Sequence, residues 1–175
     1  MLERPAPPPS APVALRPVDR THRAVLQQLS QLYRHDLSGP YGLLPNADGT
    51  FNDRRLDLFL AGARPDVRAW LIEVAGGLGG YVMTRADDDG PGRMICDFFV
   101  VRALRRTGVG REVARQVILG SPGPWRIGFQ RYNAGALEFW SRVATDAAGD
   151  AWEVYDDPPP EDRPPDTWIR FDTTR

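Results

Sequence analysis

The sequence predicts a single α/β domain in which helices pack on one sheet, and three observations predict it. The chain has 175 residues and a mass of 19.5 kDa, enough for one domain with a sizeable core. Its 42% hydrophobic and 26% charged residues are ordinary for a globular protein. Strand-like and helix-like segments follow one another in the order β-α-α-β-β-β-α-β-α-β-β, a mixed order that suggests one sheet with helices on it.

Each element follows from local pattern. Residues 1–12 are rich in proline and read as an extended, poorly ordered tail, so the folded domain runs over 13–175. Pro12 to Val18 alternates weakly and reads as a first strand. Thr21 is a candidate cap for a helix carrying Leu26, Leu29, Leu32 and Tyr33 at helical spacing, ending before the Ser38-Gly39-Pro40 break. Residues 38–52 then read as a long loop, and Arg54 to Ala61 as a short helix. Val67 to Val74 and Gly80 to Thr84 are two strands, and the AGGLGG between them is a hairpin connection, since its glycines precede no helix. The three aspartates of ADDDGPG read as a solvated turn rather than a metal site.

Met94 to Val101 is the strongest strand signal. Val109 to Leu119 is a helix closed by Gly120, Pro122 and Gly123, and Trp125 to Gln130 is a strand. Asn133 can cap a helix over Ala134 to Val143. Trp152 to Tyr155 and Thr167 to Phe171 close the chain as strands, and Trp125, Trp152 and Trp168 read as sheet or core residues.

Composition narrows the function classes. Net charge is -1 and the pI about 6.1, so no overall basic field draws in nucleic acid. All 22 basic residues are arginine. A single cysteine, Cys96, excludes an internal disulfide and a cysteine-built metal site, and no metal is expected. No segment approaches the apolar length of a membrane span, and the proline-rich start lacks a secretory apolar core, so a cytoplasmic protein is expected.

The chemistry concentrates in FFVVRALRRTGVGR, Phe98 to Arg111. Gly108 and Gly110 open a helix that follows a strand directly. Such a helix start offers unpaired N–H groups and partial positive charge, and glycines let the main chain approach an anion. Arg105, Arg106 and Arg111 add guanidinium groups suited to phosphate oxygens. The geometry suits a pyrophosphate. It is neither G-x-x-x-x-G-K-[ST] nor G-x-G-x-x-G.

What stands there is R-x-x-G-x-G, Arg105 to Gly110, after FFVV and followed downstream by NAGALEFW. This resembles the coenzyme A signature of the GNAT N-acyltransferase superfamily, and the element order is similar over nearly the whole domain. The resemblance implies a mixed, mostly antiparallel sheet of about six to seven strands flanked by about four helices. It implies acetyl-coenzyme A, or another acyl-coenzyme A, as cosubstrate. Main-chain groups of Phe98, Phe99 and Val100 would bind the pantetheine arm. N–H groups over Arg106, Thr107, Gly108, Val109, Gly110 and Arg111 would hold the pyrophosphate, with Arg105 beside them. Asn133 matches a family asparagine that contacts the cofactor, besides its reading as a helix cap.

The sequence departs from the family at two places. A tyrosine that protonates the leaving thiolate usually stands seven residues after the asparagine, and here that position is Trp140. Its indole N–H is no general acid, so Trp140 is expected to pack with Phe139 or to border the cofactor. A glutamate base often stands five residues before the asparagine, and here that position is Gly128. Asp97 is the replacement candidate, because CDFFV is similar to the acidic strand of diamine and polyamine acetyltransferases. An aspartate in an apolar strand needs a hydrogen bond or an ion partner.

Tyr33, His35, Asp36 and Tyr41 cluster where this fold walls the acceptor site. Tyr33 is a second catalytic candidate, while Asp36 and Tyr41 are candidates for binding a cationic acceptor. Tyr132 and Tyr155 are further phenols that nothing in the sequence places. The expected activity is acetyl transfer to a primary amine of a small cationic acceptor by direct attack. The alternatives are another donor, a longer acyl-coenzyme A or an aminoacyl-tRNA, or acyl-coenzyme A binding without catalysis. Homodimers are frequent in the superfamily.

Overall fold

The computed structural model describes residues 11–53, 55–60, 66–131, 133–156 and 166–174. The tail reading for residues 1–10 and the placement of Tyr132 lie outside the described residues. Seven strands form one sheet in the order β1-β2-β3-β4-β5-β7-β6. They are β1 (Val13–Pro17), β2 (Arg68–Val74), β3 (Gly77–Ala86), β4 (Arg93–Val100), β5 (Pro124–Gln130), β6 (Trp152–Asp156) and β7 (Asp166–Asp172). The helices are α1 (Arg23–Tyr41), α2 (Arg55–Leu60), α3 (Val109–Leu119) and α4 (Ala134–Ala148). Neighbouring strands are antiparallel except β4 and β5, whose parallel pairing follows from the α3 crossover between them.

The sheet is covered on both faces. On one face Leu26 and Leu29 of α1 and Leu56 and Phe59 of α2 bury against Leu71, Tyr81, Met83 and Phe99. On the other face Val113 and Val117 of α3 and Trp140 and Val143 of α4 bury against Ile95, Ile127 and Ile169. The alternation of inward and outward residues along β5 shows in Trp125, Ile127 and Phe129, all buried toward α3 and α4.

Several boundaries differ from the sequence reading. The cap before α1 is Asp19, whose carboxylate accepts from the Thr21 N–H at 2.8 Å and starts a short 3-10 turn over Arg20–His22. The helix runs through Ser38-Gly39-Pro40 and stops one residue later. Gly42 is left-handed at φ 63°, the Leu43 N–H donates to the Ser38 carbonyl at 3.0 Å, and the Gly42 N–H donates to the Gly39 carbonyl at 3.3 Å. That Schellman closure, rather than the proline, sets the end of α1 and carries Tyr41 one turn further. The β2–β3 connection shrinks to Ala75 and Gly76, both at positive φ, which is the twist a two-residue hairpin requires. The glycines that follow are strand residues.

Gly80 is one of them, at φ 147°, and a Cβ there would lie 1.9 Å from the Phe99 carbonyl oxygen. Only glycine lets β3 lie this close to β4 opposite Val100. Gly80→Ala is expected to cost about 3 kcal/mol or more, from backbone strain and steric overlap together. Thermal melting of the variant checks this, and an unchanged midpoint would contradict it. Among the described residues, no helix is long and apolar enough to cross a membrane.

Candidate active site

The site begins at an extra residue in β4. Met83 pairs with Asp97 and Thr84 with Ile95, so Cys96 is a bulge between them. A bulge bends its strand and re-aims the side chains around it. Pairing of β4 with β5 covers only Arg93↔Trp125, Met94↔Arg126 and Ile95↔Ile127. Beyond Ile95 the two parallel strands separate. The edge of β4 that faces away from β3, along Cys96 to Val100, therefore looks onto a cleft rather than onto β5. Clefts at the carboxyl ends of diverging parallel strands are where open α/β sheets bind ligands.

The turn after β4 closes one end of this cleft. Arg106 is left-handed at φ 64°, and Gly108 caps α3 at φ 91°. No side chain caps α3, so its first N–H groups point outward. Nothing lies within 4 Å of where a Gly108 Cβ would stand, which leaves room for a ligand's anion there. Gly110 has a different role from the one its spacing suggested. A Cβ at Gly110 would stand 3.3 Å from the Phe139 ring and 3.8 Å from the Phe98 ring, so this glycine seats α3 against aromatic side chains.

The arginines divide. The Arg105 Nε–H donates to the Val100 carbonyl at 2.7 Å, and its Nη2 donates to Asp36. Arg111 forks onto Asp146 of α4. Among the described residues, Arg106 alone of these three has no side-chain partner and remains for an anion. Thr107 closes the turn by donating to the Leu104 carbonyl at 2.7 Å. Val109 is buried beneath it.

Asp36 corrects the sequence reading. One of its oxygens accepts from Arg102 at 2.7 Å and the other from Arg105. Burial alone would raise this carboxyl, but the hydrogen bonds and charges of Arg105 and Arg102 outweigh it and hold the pKa below the ordinary value. Asp36 thus ties α1 to the turn after β4 and is not an open receptor for a cation. Tyr41 walls the cleft from the other side. Its O–H donates to Asp166 at 3.1 Å and its oxygen accepts from Gln130 at 2.7 Å, linking the end of α1 to β5 and β7. His35 is exposed on α1.

Asp97 is 2% exposed, on the α1 and α2 face of the sheet, and the Tyr81 O–H donates to it at 3.4 Å. Tyr33 packs edge-on against Tyr81 with ring centroids 6.0 Å apart and lies 5.9 Å from the Phe99 ring. The two empty acid–base positions have physical explanations. Trp140 is 5% exposed, wedged between Phe98 and Phe139 at centroid distances of 5.0 and 4.7 Å, so it is a packing residue of the core. A Cβ at Gly128 would meet the Trp168 ring at 2.9 Å. Trp168 lies across β5 there, with the Arg126 guanidinium 4.5 Å from its ring centroid. A side chain at 128 would have to displace the far edge of an indole 40 residues away, which no local pattern announces.

Gly128→Glu is accordingly expected to destabilise the fold by about 2 to 3 kcal/mol through overpacking. Trp168→Ala in the same chain should recover part of that loss, giving a coupling of about 1 kcal/mol or more. Melting of the two single variants and the double variant measures it, and strict additivity would contradict the contact.

Asn133 caps α4 as expected, its side-chain oxygen accepting from the Ala136 N–H at 3.1 Å. At the β3–β4 turn Asp88 and Asp89 are solvated as read, with side chains 70% and 67% exposed, whereas Asp87 is largely covered. Asp87 and Asp89 pair with Arg126 at 3.2 and 2.6 Å, and Asp88 pairs with Arg85 at 2.5 Å. Among the described residues, no group of three metal-ligating side chains gathers.

The comparisons agree with this geometry. The model of the Acetyltransferase (GNAT) family matches residues 26–155. An acetyltransferase from Thermus thermophilus has a TM-score of 0.67 at 16% identity, with 91% of this chain and 96% of that chain covered. A probable GNAT-family acetyltransferase from Chromobacterium violaceum has a TM-score of 0.63 at 21% identity, covering 98% and 89%. The aminoglycoside acetyltransferase AAC(6')-Ib, in complex with coenzyme A and kanamycin, has a TM-score of 0.65 at 14% identity, covering 93% and 96%. No curated protein matches the sequence.

Proposed function

The chain belongs to the GNAT acetyltransferase family, and we propose that it moves an acetyl group from acetyl-coenzyme A to a primary amine of a small cationic acceptor, by direct attack in a ternary complex. The observation that carries this reading is the separation of β4 from β5 beyond Ile95, ending at the uncapped start of α3. In it, main-chain groups of Phe98, Phe99 and Val100 hold the pantetheine arm as a substitute strand. The N–H groups from Thr107 to Arg111, with the Arg106 side chain, hold the pyrophosphate. Asn133 stands beside the arm at the start of α4. The neighbour that binds coenzyme A together with kanamycin supports a small-molecule acceptor.

The residues divide the chemistry unevenly. A main-chain N–H of β4 polarises the thioester carbonyl. Asp97 draws a proton from the acceptor amine through water. The missing acid at Trp140 costs little, because a thiol with an ordinary pKa of about 8.5 leaves readily as thiolate. The amine matters more, since an alkyl amine of pKa about 10 is almost wholly protonated at neutral pH. With Asp36 held by two arginines, Asp97 and Asp166, the latter bonded to Tyr41, are the carboxylates among the described residues that this reading assigns to the cation.

Calorimetry with acetyl-coenzyme A, followed by thiol-release assays over a panel of small amines, tests the reading. Saturable binding and turnover with a cationic amine are expected. Absence of binding at millimolar cosubstrate, by folded protein, would overturn it.

A further inference from the structure

A polar chain runs through the buried face between the sheet and α1. Tyr81 of β3 is fully buried, and its O–H points at Asp97 on the neighbouring strand at 3.4 Å. Ser30 of α1, 1% exposed, lies against the same phenol, and its hydroxyl has no hydrogen-bond partner of good geometry. Arg34, one turn further along α1, has a buried Nε–H that is likewise unpartnered and places positive charge near the ring. The remaining surroundings are apolar. β2 presents Ala69 and Leu71, and α2 presents Leu56, Phe59 and Leu60. Among the described residues, Tyr33 of α1 and Cys96, the residue before Asp97, are further titratable neighbours.

In such surroundings a carboxylate must be held by specific donors, and its orientation is set by them. We propose that Tyr81 is a positioning residue for Asp97, holding the carboxylate in its charged form and fixing one of its oxygens. The inference rests on Asp97 being the group that receives the acceptor's proton. Burial raises the Tyr81 phenol well above its ordinary range, and the Asp97 charge raises it further, so Tyr81 stays a proton donor across the working pH range. The Tyr81 O–H stabilises the charged carboxylate, so its loss raises the Asp97 pKa. The acid limb of activity then moves to higher pH.

Tyr81→Phe keeps the ring and removes the donor. The expected result is a shift of the acid limb of kcat/KM upward by about one pH unit, with acetyl-coenzyme A affinity unchanged. In wild-type protein, the carboxyl-carbon resonance of Asp97 and the phenol-carbon resonance of Tyr81 should step at one common pH, a readout that needs no variant. An unmoved limb, or separate titrations of the two resonances, would overturn the positioning role while leaving Asp97 as the base. Full activity in Asp97→Asn would overturn the reading beneath it, and this inference with it.

Discussion

Gly108→Asp is expected to weaken acetyl-coenzyme A binding about ten-thousandfold while leaving a folded protein. Two effects meet at this residue and a control separates them. The first is conformational. Gly108 sits at φ 91°, where any side chain is strained by about 1 kcal/mol. The second is electrostatic. The carboxylate would stand in the space before the α3 N–H groups, which the pyrophosphate needs. Two like charges about 4 Å apart at a protein surface repel by about 4 kcal/mol, which is about three decades of affinity. Gly108→Asn carries the strain without the charge and should lose about tenfold. Calorimetry on the three proteins reads the difference. If aspartate and asparagine bind alike, the anion is not held at this turn.

Asp97→Asn is expected to lower kcat/KM by about a hundredfold or more, within the range typical of a lost general base. The asparagine oxygen can still accept the Tyr81 O–H, so the buried site stays satisfied and the fold survives. Acetyl-coenzyme A affinity should not change, because the cosubstrate is held by main chain and by the turn. The pH profile gives the sharper signature. The wild-type rate falls as acid protonates Asp97, and the variant should lack that limb. A variant within threefold of wild type, with the limb intact, would remove Asp97 from the mechanism.

The sequence and the structure agree best where one residue's neighbours in the chain are also its neighbours in space. The strand-turn-helix from Phe98 to Arg111 is such a place: strand, uncapped helix start and the need for glycine at 108 are all local. Asn133 as a cap is another. The long-range partners were not legible. Asp36 looked like an open carboxylate because Arg102 and Arg105 are 66 and 69 residues away. Gly110 looked like a second phosphate glycine because Phe139 comes from another helix. The contact of Tyr81 with Asp97 has no signature in the sequence either, because it crosses between strands, Tyr81 pairing with Phe99 and Met83 with Asp97. The bulge at Cys96 is a property of two strands and has no signature in one.

The contact between Gly128 and Trp168 makes these positions one inherited character rather than two. Neither can change freely while the other is kept: a glutamate at 128 meets the indole, and a smaller residue at 168 leaves a void over a glycine. A glutamate introduced at 128 therefore costs stability unless position 168 changes with it. Altering position 168 first lowers that cost, so the order in which the two positions change matters.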